Sequence, residues 1–596
     1  MGIKRKTEEK KMSMSKNIAR LAVTAGLTAA LSFGGVMAPV TMAFAAEGAT
    51  ATTNSITIKQ DKNNTDAANP EKKTQFVAYQ IFNAKVVDGT GSGNKVVSDV
   101  EWNADVTLDT RNAIIAAIQG STGYDSTEPK IPTENPTAQD VADWMAANLK
   151  NASRVVNNGD LLDKIADLLK NTAPTMPKGA TSAAFAADTS VSFENPGYYL
   201  FLTDAGSIGS ADEHSGKKQT GTSPIFAVVG GSAVEVAEKT GIPTVTKKIK
   251  DNKPRSDWAD KADSQVGQNV QYQLTGTVAE NVASFDSYYY EFHDELSAGL
   301  TANEKSIKVY AGNNRDSAED ITSACTPEVK GGENGTGQIL TVKFDNLKTA
   351  VTGLASSTKI YVEYTAQLDP SKAVVVGGTG NENSVKLIYS NNPMSDGKGE
   401  SVPDTVRDYT YALKLVKVDS VETTKKLEGV KFTIQATTPD DTSSNGKYVL
   451  EKGNLGDTAY EFTTNGEGEI SVKGLDAGTY TVHEVEGSNP GYNTLKDFTF
   501  TIKAEGLDKL EGETLAGNAD QNTLKVTATS DNSTMVTPSA DGGTVTLTVK
   551  NKKGSGLPLT GLNGVTFTWI AGGAVLCIGV AHLIRSRKQA EESEQE

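Results

Sequence analysis

Three residues in the C-terminal third of the chain carry chemistry if the fold brings them together: Lys417, Glu484 and Asn551. Side chains alternate along a strand, so "GTYTVHEVEGSNPGY" puts Tyr480, Val482 and Glu484 on one face and Thr481 and His483 on the other. In "TVTLTVKN" the row Val545, Leu547, Val549 ends in Asn551, which aims an amide inward. "LKLVKVD" sets Lys417 on the face of Leu413 and Leu415, although Val416 and Val418 offer the opposite face as readily. A lysine in a dry core is driven toward the neutral, nucleophilic amine. Burial favours a protonated acid, which can hydrogen-bond an amide carbonyl oxygen and polarise it. Attack of the amine on the amide carbon, with loss of ammonia, leaves a covalent amide between two side chains. The condition is that the first and last strands of this region are neighbours.

The same order recurs upstream. "PTVTKKIKD" places Lys247 with Val245 and Ile249 while Lys248 faces away. In "YYYEFHDEL" Asp294 shares a face with Tyr290, Phe292 and Leu296, and in "NENSVKLIY" Asn383 shares one with Val385, Leu387 and Tyr389. Lysine early, acid in the middle, asparagine late: two trios in one order weigh against accidental ion pairs at strand ends.

The elements that must position these groups are mainly β. Thr-rich alternation, 56 glycines and few aromatics predict short strands with Gly and Asn turns, hence tandem immunoglobulin-like sandwiches for residues 243–402 and 410–553. Residues 46–236 read as a mixed N-terminal domain. There "TAQDVADWMAANLK" offers Thr137 and Asp140 as a capping pair ahead of Val141, Trp144, Met145 and Leu149 at helical spacing, and "LLDKIADLLK" continues the pattern. Its closing strand "PIFAVVGG" has no asparagine, so no cross-link is expected in it.

The ends set the compartment. Residues 1–45 read as a secretory signal: Lys16 and Arg20, a long apolar run, then Ala43-Phe44-Ala45. Residues 565–584, "VTFTWIAGGAVLCIGVAHLI", have the length and polarity of a membrane-crossing helix. The basic "RSRK" that follows places residues 585–596 in the cytoplasm and the rest outside. A net charge of −16 argues against a nucleic-acid partner. With two cysteines, of which Cys577 lies in the span, Cys325 has no partner for an internal disulfide.

The chain resembles the shaft, or backbone, pilins of Gram-positive bacteria. "YTVHEVEGSNPGY" is similar to their E-box, Tyr-x-x-x-Glu-x-x-x-x-x-Pro-Gly-Tyr, and "LVKVDSVETTKKLEGVKFTI" to their Lys-x-Asp opening strand. Leu557, Pro558, Leu559, Thr560 and Gly561, followed by the apolar span and the basic tail, resemble a sortase sorting signal. The resemblance implies a fimbrial isopeptide domain at 243–402, a collagen-adhesin B-type (Cna-B, SpaA-like) domain at 410–553, and bonds from Lys417 to Asn551, promoted by Glu484, and from Lys247 to Asn383, promoted by Asp294. By analogy with disulfides, closing the Lys417–Asn551 loop is worth about 5 kcal/mol of chain entropy. It further implies cleavage between Thr560 and Gly561 by sortase and capture of the resulting thioester by an amine.

Which amine captures it decides the function. The family's linking motif is Val-Tyr-Pro-Lys just before the second domain. Here "VEVAEKTGIPT" aligns Lys239 but puts Ala237 and Glu238 where Tyr and Pro stand, so Lys239 reads either as the intersubunit lysine or as an exposed linker lysine. Capture by another copy makes a covalent homopolymer, a cell-surface fimbrium anchored to peptidoglycan. Capture by the cell wall alone makes a monomeric anchored adhesin. Adhesion, to host matrix or glycan, follows from the resemblance only. An enzyme is not expected, beyond self-cross-linking, and neither cofactor nor metal is: His214, His293, His483 and His582 have no metal-ligand spacing, and "DGTGSGN" lacks the Lys and Ser/Thr of a phosphate loop and reads as a hairpin turn.

Overall fold

A computed structural model describes residues 53–65, 71–89, 95–149, 155–208, 219–251, 256–332, 337–439, 444–508, 522–554 and 584–585. The signal segment, the Leu557–Gly561 motif and nearly all of the apolar span lie outside them. Among the described residues no helix is long and apolar enough to cross a membrane. They form two compact units, one running to Thr410 and taking in short segments around 474–476 and 504–525, the other beginning at Tyr411. The fold is mainly β, as the alternation predicts.

The N-terminal part of the first unit holds a sheet ordered Lys95–Trp102, Gln75–Asp88, Gly197–Thr203, Ile225–Val229. Asp88 pairs with Lys95 in an antiparallel ladder, and residues 90–94 of the glycine-rich stretch lie outside the described residues. The helical insert covers one face. Helix Leu108–Gln119 is followed by Ala138–Asn148, which starts on a reciprocal Thr137–Asp140 capping box, and by Leu161–Leu169. Val141, Trp144, Met145, Ile165 and Leu169 point from these helices into the same core as Tyr198 and Leu200. A small sheet closes the other side, with Ser55–Lys59 parallel to Val234–Ala237.

The rest of the first unit is a sandwich. One sheet runs Trp258–Ala259, Val245–Lys250, Val270–Thr277, Lys359–Leu368, Leu300–Gly312, Glu319–Asp320. The facing sheet runs Lys261–Asp263, Asp404–Tyr409, Asn381–Ser390, Tyr290–Leu296, Gln338–Phe344, Glu328–Gly331. Each strand turns alternate residues to the interior, where Ile249, Tyr272, Leu274, Phe292, Val342, Val362, Val385 and Leu387 are wholly buried. At about 25 cal/mol per Å² of apolar surface, such side chains contribute about 1.5–3 kcal/mol each.

The second unit is also a sandwich. Its smaller sheet is ordered Glu469–Leu475, Tyr411–Asp419, Thr544–Asn551, Val536–Asp541, and the first and last long strands run parallel, Leu415 opposite Leu547 and Asp419 opposite Asn551. The other sheet centres on Lys431–Pro439, Gly478–Glu484 and Phe498–Glu505.

Candidate functional site: two buried clusters of amine, acid and amide

In the second unit the parallel pairing supplies the condition stated above. Lys417 lies opposite Val549, two residues before Asn551, so amine and amide stand on neighbouring strands near the same end. Glu484 closes the Gly478–Glu484 strand of the facing sheet and reaches across. The lysine and the asparagine have no exposed surface and the acid has 1%. Lys417 Nζ donates to Asn551 Oδ1 at 2.5 Å and to Glu484 Oε2 at 3.0 Å, and Asn551 Nδ2 donates to Glu484 Oε1 at 2.6 Å. The Phe432 ring lies 5.4 Å from the amine. Burial pushes the Lys417 amine down to about 8, against the pull of the Glu484 charge and hydrogen bond. The ambiguity of face resolves physically: Lys417, Val416 and Val418 are all buried, because this strand is covered on both sides.

One detail departs from expectation. The acid sits on the amide nitrogen, and the amine, not the acid, meets the carbonyl oxygen. That is the pattern of an ammonium facing a carboxylate: the cation donates to the carbonyl oxygen and the anion accepts from the amide N–H.

In the first unit the second trio also meets, by another route. The Lys247 strand does not pair with the Asn383 strand. It lies between Trp258–Ala259 and Val270–Thr277, whereas Asp294 and Asn383 come from adjacent strands of the facing sheet, with Leu296 opposite Asn383 and Asp294 opposite Val385. Amine and amide therefore face one another across the core. All three residues have no exposed surface. Lys247 Nζ donates to Asp294 Oδ1, and its backbone N–H donates to Asp404 Oδ2 at 2.7 Å. Burial pushes the Lys247 amine down to about 8, opposed by the charges of Asp294 and Asp404.

Between acid and amide stands a residue the sequence reading missed. Tyr364 Oη accepts from Lys247 Nζ at 3.2 Å and from Asn383 Nδ2 at 2.7 Å, and donates to Asp294 Oδ2 at 2.6 Å. Asn383 Oδ1 is buried with no hydrogen-bond partner among the described residues. The signal lay in "KIYVEYTAQL", where Ile360, Val362, Tyr364 and Ala366 alternate inward and a buried phenol needs a polar partner.

The N-terminal part has an acid and an amide without a described amine between them. Glu238, which stands where the family's linking motif has proline, is wholly buried. It accepts from Thr74 Oγ1, from the Asp61 N–H at 2.9 Å and from Asn64 Nδ2 at 3.1 Å. Burial outweighs these bonds and raises its carboxyl to about 7. Asn64 is held by the Thr220 backbone, accepting from its N–H at 2.9 Å and donating to its carbonyl at 2.8 Å. Lys239 follows directly, half-buried, with its N–H bound to Thr222 Oγ1 at 3.0 Å. Among the described residues no group of three or more His, Cys, Asp or Glu is placed to hold a metal ion.

Residues 411–515 match the SpaA family of prealbumin-like fold domains. The match takes in Lys417 and Glu484 and stops before Asn551. Similar solved structures include the T6 backbone pilin of serotype M6 Streptococcus pyogenes, at 17% identity, covering 84% of this chain and 99% of that one with a TM-score of 0.45. The full-length major pilin SpaD of Corynebacterium diphtheriae is 15% identical over 84% of this chain and 98% of its own, TM-score 0.41. The major pilin SpaA of the same organism, whose structure is described as pointing to a modular pilus assembly stabilizing isopeptide bonds, is 12% identical over 84% and 100%, TM-score 0.41. At those scores the likeness transfers no chemistry or assembly to this chain. No curated protein matches the sequence.

Proposed function

We propose that this chain is the structural subunit of a covalently polymerised surface pilus, each sandwich stapled by an intramolecular amide: Lys417 to Asn551, promoted by Glu484, and Lys247 to Asn383, promoted by Asp294. The observation that carries the reading is the Lys417 cluster, in which an amine with a lowered proton affinity, an acid and an amide make three mutual hydrogen bonds with almost no exposed surface. Ordinary buried ion pairs do not need an asparagine bound to both members, and a dry amine hydrogen-bonded to an amide oxygen beside an acid is a reactant pair brought together.

The staples suit a load-bearing filament. Tension entering at Tyr411 and leaving after Asn551 would shear the two parallel strands, and a covalent link near their shared end removes that motion. Subunits would join when sortase cleaves between Thr560 and Gly561 and Lys239 of the next copy attacks the thioester, with peptidoglycan as the final acceptor at the wall. Adhesion to host matrix or glycan is a role of the assembled fibre in this reading. The test is the mass of the purified chain: two bonds make it lighter by two ammonias than its sequence, and peptide mapping finds Lys417 joined to Asn551 and Lys247 to Asn383. Peptides with these four side chains free, recovered from folded protein, refute it.

A further inference from the structure

The two clusters differ in one respect that bears on mechanism. In the second unit a single carboxylate touches both reactants, Lys417 and Asn551. In the first unit Asp294 touches the amine, but the hydrogen bond from the amide nitrogen goes to the phenol of Tyr364, which in turn donates to Asp294. An aspartate is one methylene shorter than a glutamate, and here the phenol oxygen spans the gap. Its ring is stacked on Tyr272, with centroids 5.2 Å apart and planes inclined by 12°, so the hydroxyl is held in place. Tyr364 is 2% exposed, and no water is needed to connect the groups.

We propose that Tyr364 is a catalytic residue of the Lys247–Asn383 reaction, relaying a proton from Asp294 to the departing amide nitrogen. The role rests on the bond proposed above and adds the route by which ammonia leaves. The ammonium of Lys247 first gives a proton to Asp294, and the neutral Nζ attacks Cγ of Asn383. As the amide nitrogen becomes tetrahedral it gains a lone pair directed at the phenol, which donates its proton there while taking the proton held by Asp294. The Cγ–Nδ2 bond breaks, ammonia departs, and the second surplus proton on Nζ returns to Asp294. Of the five protons on the starting ammonium and amide, three leave on ammonia, one stays on the new amide and one ends on the acid. Tyr364 finishes as it began. Burial, with the charge of Asp294 beside it, raises the phenol's proton affinity well above its usual value, so the hydroxyl is protonated and ready to donate. Neutral leaving-group nitrogen is a poor leaving group without such a donor.

The Lys417–Asn551 bond of the same chain serves as an internal clock, because its cluster has no phenol. The whole chain is made by cell-free synthesis, quenched in denaturant at intervals, digested, and the two cross-linked peptides counted by mass. In Tyr364→Phe the Lys247–Asn383 peptide is expected to form at least about 100-fold more slowly while the Lys417–Asn551 peptide keeps its rate. A fluorinated tyrosine placed at 364 keeps the shape and hydrogen bonds but makes the phenol more acidic, so a relay changes its rate while a merely structural ring does not. Equal rates in wild type and Tyr364→Phe, or a fluorotyrosine chain indistinguishable from wild type, overturn the proposal. If the wild-type chain never joins Lys247 to Asn383, the bond itself is refuted and this role goes with it.

Discussion

Replacing Asn551 by alanine deletes the acceptor of the staple proposed for the second unit and leaves the Lys417–Glu484 ion pair, 3.0 Å apart, in place. The thermodynamic effect has two parts. Opening a loop whose ends are 134 residues apart gives the unfolded chain back about 5 kcal/mol of conformational entropy. Leaving Lys417 and Glu484 buried without the link carbonyl and the packing it supplied adds about 1–3 kcal/mol. For a domain of this size, a loss of that order lowers the melting temperature by about 20–25 °C. The mechanical effect is larger and more diagnostic. With the staple closed, the chain between Lys417 and Asn551 cannot lengthen under force; with it absent, 134 residues become extensible, or about 450 Å of new contour length. Pulling single molecules from both ends of this unit, alongside thermal melting, reads both quantities. A wild-type unit that releases the full length under force, or an Asn551→Ala chain that melts within a degree or two of wild type, refutes the reasoning.

Other consequences can be checked separately. Asp294→Ala should abolish the Lys247–Asn383 amide and leave the Lys417–Asn551 amide intact, so the purified chain comes out lighter than its own sequence by one ammonia where wild type is lighter by two. Lys239→Ala should remove the ladder of boiling-resistant multimers formed with sortase, while single copies still attach to the wall; a ladder that persists assigns the link to another lysine. Glu238 has a carboxyl raised from 4.5 to about 7 by burial, so the folded state holds a proton that the unfolded chain has released between those values. Its contribution, about 3 kcal/mol, is complete below pH 4.5 and is lost as pH rises through 7. The first unit of Glu238→Gln should accordingly lose less stability than wild type across that window, measured by thermal melting at each pH.

Much of the site was legible because alternation along a strand is local. Glu484, Asn551, Asp294 and Asn383 fall on the apolar faces read from their neighbours, and each is buried as that reading requires. The helices of the N-terminal part were legible for the same reason, since the Thr137–Asp140 box and the spacing of Val141, Trp144 and Met145 are properties of a few adjacent residues. Lys417 was not, because a strand covered on both sides has no polar face to betray its orientation.

What the sequence determined by itself was the inventory: two sets of amine, acid and amide in one order, set in strands whose alternation turns acid and amide inward. Only the tertiary structure decided how each set closes. Lys417 and Asn551 meet as neighbours in one sheet, while Lys247 and Asn383 meet from opposite sheets. Tyr364 enters from a strand whose sequence shows no more than an inward-facing ring. The physical reason is range. Backbone geometry dictates which way a side chain points from its immediate neighbours, but which strands lie beside or across from each other is settled by pairing and packing between segments far apart in the chain, 134 residues for Lys417 and Asn551, and the few ångströms that decide a proton's path are settled there too.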